Sequence, residues 1–229
     1  MKSNRKSATG LLMVNWSRFP YFKIKLEGST LITGVNGTGK STVLDAITYL
    51  LTGNTQFNIA AKDRDRSIQA YVRGDTKSDG KARFLREGNI ISYIAMEFYS
   101  PEDNNYFVVF VCFEMSNETM GSPSWYVSRN ARLDDINFYS FDDNVLTVTP
   151  KSQLKIKGNR VSAKDFMGRD KGTEQVIKAL GLRCSVAKYR SKLVKMMAFD
   201  PQKNIDKFIQ ECVLEPGEMT SLTSLREQR

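Results

Sequence analysis

The sequence predicts an α/β fold in which a phosphate-binding loop joins a strand to a helix, with an antiparallel β-sheet inserted after that helix. Three observations carry this prediction. The stretch "ITGVNGTGKSTVLDAI" (32–47) contains the spacing G-x-x-x-x-G-K-S. Two apolar runs, 90–100 and 106–115, are separated by "PEDNN", which indicates a hairpin. Beyond Gly172, apolar residues recur at helical spacing.

The first elements frame the glycine-rich loop. Short strands are predicted at 10–16, 21–26 and 29–34, because apolar and β-branched residues predominate there. A helix is predicted from the residue after Gly39, and Gly53 is a typical helix stop. Strand, glycine loop and helix in this order are the context that a phosphate-binding motif requires.

The later elements are predicted from the same periodicities. A short helical patch around 67–72 precedes the hairpin. Further strands are expected in "SWYVSRNA" and "NVLTVTP", and helices in "TEQVIKALGL", "SVAKYRSKLVKMMAF" and "NIDKFIQECVL". The tail "MTSLTSLREQR" begins an amphipathic pattern, which indicates either a frayed terminal helix or the first turn of a coiled coil.

Composition limits the chemistry. The 229 residues include 34 Lys+Arg, 25 Asp+Glu and no histidine, so the commonest general base and every Ser-His or Cys-His pairing are excluded. The net charge of +9 favours polyanionic partners. The stretch 151–171 is densest, with seven basic and two acidic residues, and is either a solvated face or a DNA-facing surface. No apolar run approaches ~18 residues, so a cytoplasmic protein without a membrane partner is expected.

The loop predicts an ATP site with Mg²⁺. Its glycines let backbone N–H groups turn toward phosphates at the start of the helix. Lys40 is expected to reach the β- and γ-phosphates as a catalytic cation, and the Ser41 hydroxyl to bind Mg²⁺. The predicted nucleotide-binding residues of the loop are Gly34, Asn36, Gly37, Thr38, Gly39, Lys40, Ser41 and Thr42.

The sequence shows no clear motif for the other two parts of an ATPase site, the magnesium-binding acid and the signature. A magnesium-binding acid usually ends an apolar strand, and the candidate "FVVFVCFEM" ends in Glu114 without an Asp. A plain hairpin strand explains that run as well. No "SGG"-type signature is present, so the chain is predicted to hold half of an active site.

Such a division resembles that of the SMC-like ATPases, whose N-terminal head half carries the phosphate loop. Within them, "LLMVNWSRF", "ITGVNGTGKSTVLDAITYLL" and "FNIAAKDRDRSIQAYVRGD" resemble the branch of MukB, MksF and the Wadjet ATPase JetC, and JetC most of all. "MMAFDPQKNIDKFIQECVLEPGE" is similar to the segment that leads into the coiled coil there. The resemblance implies a P-loop NTPase head of the ABC type, with its N-terminal half at 1–217 and a coiled-coil start at 218–229.

The resemblance also implies roles for further residues. Arg66, or alternatively Arg64, would contact the phosphates. The alternative interpretation is a solvated arginine in a polar loop. Gln210 would be the Q-loop residue that binds Mg²⁺ and the attacking water. Trp16 and Arg18 would approach the adenine, although a core position is favoured for Trp16.

The partners that the resemblance implies are the C-terminal head half, a second SMC-like head, kleisin and KITE subunits, double-stranded DNA, and a nuclease in Wadjet systems. The activity would be DNA-stimulated ATP hydrolysis that drives loop extrusion, in anti-plasmid defence. Two alternatives are a chromosome-organising, nucleoid-associated machine like MukB or MksF, and a repair or defence ATPase with a separate nuclease domain.

Overall fold

The computed structural model describes residues 5–55, 67–75, 83–117 and 119–197. In chain order its strands and α-helices are β1 (Ser7–Trp16), β2 (Phe19–Lys25), α1 (Lys40–Thr52), α2 (Ile68–Arg73), β3 (Ile90–Ser100), β4 (Asn105–Ser116), β5 (Thr119–Met120), β6 (Ser124–Arg129), β7 (Tyr139–Asp142), β8 (Val145–Val148), β9 (Lys155–Ile156), β10 (Asn159–Arg160), α3 (Arg169–Leu180) and α4 (Val186–Met197).

One antiparallel sheet organises the fold. Its strand order is β2-β1-β3-β4-β5, and β6 also pairs with β4. The predicted hairpin is confirmed as β3 and β4, which pair along their whole length. The expectation that this sheet is an insertion after the first helix is wrong, because β1 and β2 precede the loop and belong to the same sheet. Strand β1 is buried on both faces over Leu11–Val14, and it pairs with β2 along one edge and with β3 along the other.

The predicted strand at 29–34 is also wrong. The chain from Leu26 to Gly39 forms neither strand nor helix. This segment pairs with none of the described strands, although β2 stands at the edge of the sheet. Two aliphatic side chains of this segment therefore stay in solvent, Leu31 with 85% and Val35 with 77% of its surface exposed.

The sheet separates two hydrophobic cores. Side chains of alternate residues in a strand point to opposite faces. Leu11 and Met13 pack on one face with residues of α1, α2 and α3. Leu12 and Val14 pack on the other face with the segment 133–166, which contains β7 to β10. The phosphate loop thus belongs to the helical face, and the basic stretch 151–171 begins on the opposite face.

The predicted helices are confirmed where the structure describes them. Helix α1 ends at Gly53, whose positive φ of 65° allows its N–H to donate to the carbonyl of Tyr49. Two side chains then secure this end: Thr173 of α3 and Arg190 of α4 both donate to the carbonyl of Thr52. In the described part of the chain no helix is long and apolar enough to cross a membrane. The predicted helix at 204–214 and the coiled-coil start lie outside the described residues.

Candidate nucleotide-binding site

The phosphate loop is built on three glycines with positive φ. The values are 156° at Gly34, 84° at Gly37 and 100° at Gly39, in the region where side chains cost conformational energy. A Cβ on Gly39 would also lie 2.7 Å from Cζ of Phe19 in β2. At Gly37, in contrast, an added Cβ meets nothing within 4 Å, so the loop is open at that point. Successive N–H groups in such a conformation form a concave anion site.

Lys40 curls back over this loop. Its Nζ donates to the carbonyl of Gly34 at 2.6 Å and to that of Val35 at 2.9 Å. Thr38 Oγ1 donates to the carbonyl of Val35 at 2.8 Å. These bonds hold a positive charge at the mouth of the loop, where the phosphate tail of a nucleotide is expected to lie.

Residues on either side of Lys40 continue the site. Ser41 and Thr42 form the first turn of α1, and Asn36 lies in the loop between Val35 and Gly37. The donors present fit a nucleotide with Mg²⁺, because the loop offers N–H groups and a lysine for phosphates, and Ser41 offers a hydroxyl oxygen for the cation. The other predicted residues, Arg64, Arg66 and Gln210, lie outside the described residues, and their roles stay predictions.

Helix α1 is tied to the β1–β2 region by an aromatic network. Trp16 is fully buried, so its predicted core position is confirmed, and its Nε1 donates to the carbonyl of Thr42 at 3.3 Å. Its ring stacks on Tyr71 of α2 at 4.6 Å between centroids. The Tyr71 hydroxyl donates to the buried carboxylate of Asp45. Sequence reasoning missed Asp45 and Tyr71, although an acidic residue among the apolar positions of a helix was an available signal.

The carboxylates of the central strands face away from the loop. Glu114 accepts a hydrogen bond from the backbone N–H of Lys151 at 3.1 Å. Its neighbour Cys112, two residues earlier in β4, belongs to the core on the face opposite α1. Glu97 in β3 lies on that face too and accepts bonds from Thr9 and Arg132. Neither carboxylate can reach a cation at Ser41, which supports the interpretation of β4 as a plain hairpin strand.

The basic stretch is only partly available to a polyanion. Lys151 begins this stretch, but its Nζ lies 3.4 Å from Glu114 Oε2 and donates to Ser124 Oγ at 3.2 Å. Arg160 is exposed, although its guanidinium donates to the carbonyl of Ser152. Lys155 and Lys157 are exposed as well. Lys155, Lys157 and Arg160 thus offer exposed cations on the face opposite the phosphate loop, although Lys157 Nζ lies 3.9 Å from Asp135 Oδ2.

No metal cluster accompanies the site. Within the described ranges there is no group of three or more Cys, Asp or Glu side chains that could hold a metal ion.

Comparison with known proteins supports the nucleotide site. The family model described as the P-loop containing region of AAA domain matches residues 8–64. This range contains β1, β2, the loop and α1, together with Trp16 and Arg18. No curated protein matches the chain. The fold and the match together define a protein with a P-loop nucleotide-binding region in a mixed α/β structure.

Proposed function

We propose that this chain is the ATP-binding half of an SMC-like ATPase head, which dimerises on ATP and acts on DNA. The observation that carries the proposal is a phosphate loop beside which neither central strand, β3 nor β4, places a carboxylate. The carboxylates of β3 and β4 are bonded on the other face of the sheet, and in this proposal the acid comes from outside the described residues. A C-terminal head half would supply it, together with the signature that contacts ATP across the interface of two heads.

The exposed aliphatic side chains before the loop support this division. Leu31 and Val35 flank Ile32, which is partly buried against the helical core. The segment pairs with none of the described strands and has an apolar surface, as expected of a strand whose neighbour is another chain segment. A strand of the C-terminal half that paired here would cover both side chains and bring its terminal acid close to Ser41.

In this proposal the described residues bind and orient the nucleotide. The loop N–H groups hold the phosphates, Lys40 moves from the carbonyls of Gly34 and Val35 to phosphate oxygens, and Ser41 contributes to holding Mg²⁺. The cation would neutralise phosphate charge during transfer to water. Since positioning and charge stabilisation are most of phosphoryl-transfer catalysis, half a site is expected to bind ATP with little turnover.

DNA is the proposed macromolecular partner. The exposed Lys155, Lys157 and Arg160 offer phosphate contacts that carry no base readout. Residues 169–197 offer a second candidate surface, with eight basic and two acidic residues. Kleisin, KITE and nuclease partners, a nucleoid location in the cytoplasm and a role in Wadjet-type plasmid defence rest on the sequence resemblance. Chromosome organisation is the alternative for the same machine.

The decisive experiment measures ATP binding and turnover of the chain alone and mixed with the C-terminal head segment of the same gene, with and without plasmid DNA. A Lys40→Ala variant is the blank. Turnover that requires both polypeptides and rises with DNA supports the proposal. Steady turnover by the chain alone would contradict it, because a complete site would then reside in these residues.

A further inference from the structure

The turn between β1 and β2 has an unusual backbone. Asn15 has φ 53° and Ser17 has φ 51°, so two of three consecutive residues adopt the left-handed conformation without being glycine. Asparagine tolerates this conformation better than most residues, but serine does not share that preference to the same degree. Residues of this kind persist where the surrounding structure fixes them, and they concentrate at ligand-binding positions.

Contacts from three directions fix this turn. Asn15 Nδ2 donates to the carbonyl of Ile91 in β3 at 2.9 Å. The N–H of Ser17 donates to the carbonyl of Tyr71 in α2 at 2.6 Å. The carbonyl of Ser17 accepts from the guanidinium of Arg86, whose Nε donates to the carbonyl of Val72. Burial lowers the pKa of Arg86 to about 10, but it stays charged at neutral pH and binds these carbonyls.

Arg18 is the next residue, and this turn places its side chain beside the phosphate loop. It is exposed, and one of its terminal nitrogens donates to the carbonyl of Gly37 at 2.8 Å. Gly37 is the open point of the phosphate loop. Lys40 contacts the carbonyls of Gly34 and Val35 at the start of the same loop. Two cations of the chain thus lie on the loop from two sides.

We propose that Arg18 is a second cation for the phosphate tail of the bound nucleotide, and that the Asn15–Ser17 turn exists to position it. The inference rests on the proposed nucleotide binding. A carbonyl is a weaker acceptor than a phosphate oxygen for a guanidinium, so a phosphate near Gly37 draws Arg18 to itself. Because the turn is already ordered by β3, α2 and Arg86, binding loses little entropy in fixing the backbone of Arg18.

The test is calorimetric titration of the full chain with ATP and with inorganic tripolyphosphate. Arg18→Ala is expected to weaken both ligands about tenfold, which is ~1.4 kcal/mol. Arg18→Lys is expected to lie between the wild type and Arg18→Ala, because lysine keeps the charge and loses the planar fork. The matched control is Arg129→Ala, which removes one exposed arginine at the end of β6 and is expected to change affinity less than twofold.

The two ligands separate the possible outcomes. If Arg18→Ala weakens ATP and leaves tripolyphosphate unchanged, Arg18 contacts the adenosine part and the inference is wrong. If Arg18→Ala binds like Arg129→Ala, the inference is wrong as well, while nucleotide binding stands. If the wild type binds neither ligand, the proposed function fails and the inference with it. A thermal melt of Arg18→Ala accompanies the titration, and it should match that of the wild type because the side chain is exposed.

Discussion

Replacing Gly172 with alanine is expected to destabilise the protein, although the same change in an exposed helix stabilises it. Gly172 lies in α3 against Trp125 of β6. A Cβ at this position would lie 2.5 Å from Cβ and 2.6 Å from Cγ of Trp125. Trp125 has no room to retreat, because it is fully buried, packs on Tyr49 and donates from Nε1 to the carbonyl of Leu50.

The magnitude follows from two opposing effects. Overpacking of this kind costs about 1–3 kcal/mol, and contacts this short between groups close to the backbone place the cost at the upper end. The alanine recovers up to ~1 kcal/mol of helix propensity. The expected net loss is therefore about 2 kcal/mol, or roughly 4–8 °C in Tm for a chain of this size.

Urea unfolding followed by tryptophan fluorescence measures this free energy. The neighbouring Lys171 is exposed in the same helix, so the difference between Lys171→Ala and Lys171→Gly gives the propensity contribution without the clash. Subtracting it from the Gly172→Ala result isolates the contact with Trp125. A Gly172→Ala protein as stable as the wild type or more stable would refute the close packing of α3 on β6.

Three further outcomes are expected. Tyr71→Phe removes a hydrogen bond to the buried Asp45 carboxylate and should lower the free energy of unfolding by about 1.5–3 kcal/mol, whereas Tyr99→Phe, whose hydroxyl is exposed, should change it by less than ~0.5 kcal/mol. Gly39→Ala should weaken ATP at least tenfold in the calorimeter, because of the positive φ and the contact with Phe19. Burial raises the pKa of Cys112 from about 9 to about 12. The stability that the protonated thiol contributes is therefore fully present below pH 9 and is lost as pH rises toward 12. Between about pH 9 and pH 10, the free energy of unfolding measured in urea should fall less for Cys112→Ala than for the wild type.

Local patterns predicted the parts of the fold that depend on nearby residues. The run from Gly39 to Gly53 contains a phosphate motif, helical apolar spacing and a glycine stop, and α1 follows it closely. The β3–β4 hairpin needs only two long apolar strands and a short turn. Both signals act over a few residues, where propensity and periodicity are informative.

Local patterns could not predict which distant segments of the chain pair with each other. The aliphatic residues at 29–34 have strand composition, but a strand also needs a partner, and this segment pairs with none of the described strands. Likewise, nothing local indicates that Glu114 turns toward Lys151, or that Arg18 contacts Gly37. These contacts join elements that the chain brings together only on folding.

The phosphate loop and the cations Lys155, Lys157 and Arg160 lie on opposite faces of the sheet, which limits how DNA bound at those cations could affect ATP binding. The phosphate loop lies on the helical face of the sheet, and Lys155, Lys157 and Arg160 lie on the other. Strands β1, β3 and β4 are buried between them, and close-packed layers do not deform continuously. A DNA contact on the far face therefore has no movable element in the described residues through which to alter the loop. On the proposed function, we expect duplex DNA bound at Lys155, Lys157 and Arg160 to leave the ATP affinity of the isolated chain unchanged, and to raise turnover only when a second head is present. ATP titrations with and without duplex would contradict this if DNA tightened binding to the chain alone.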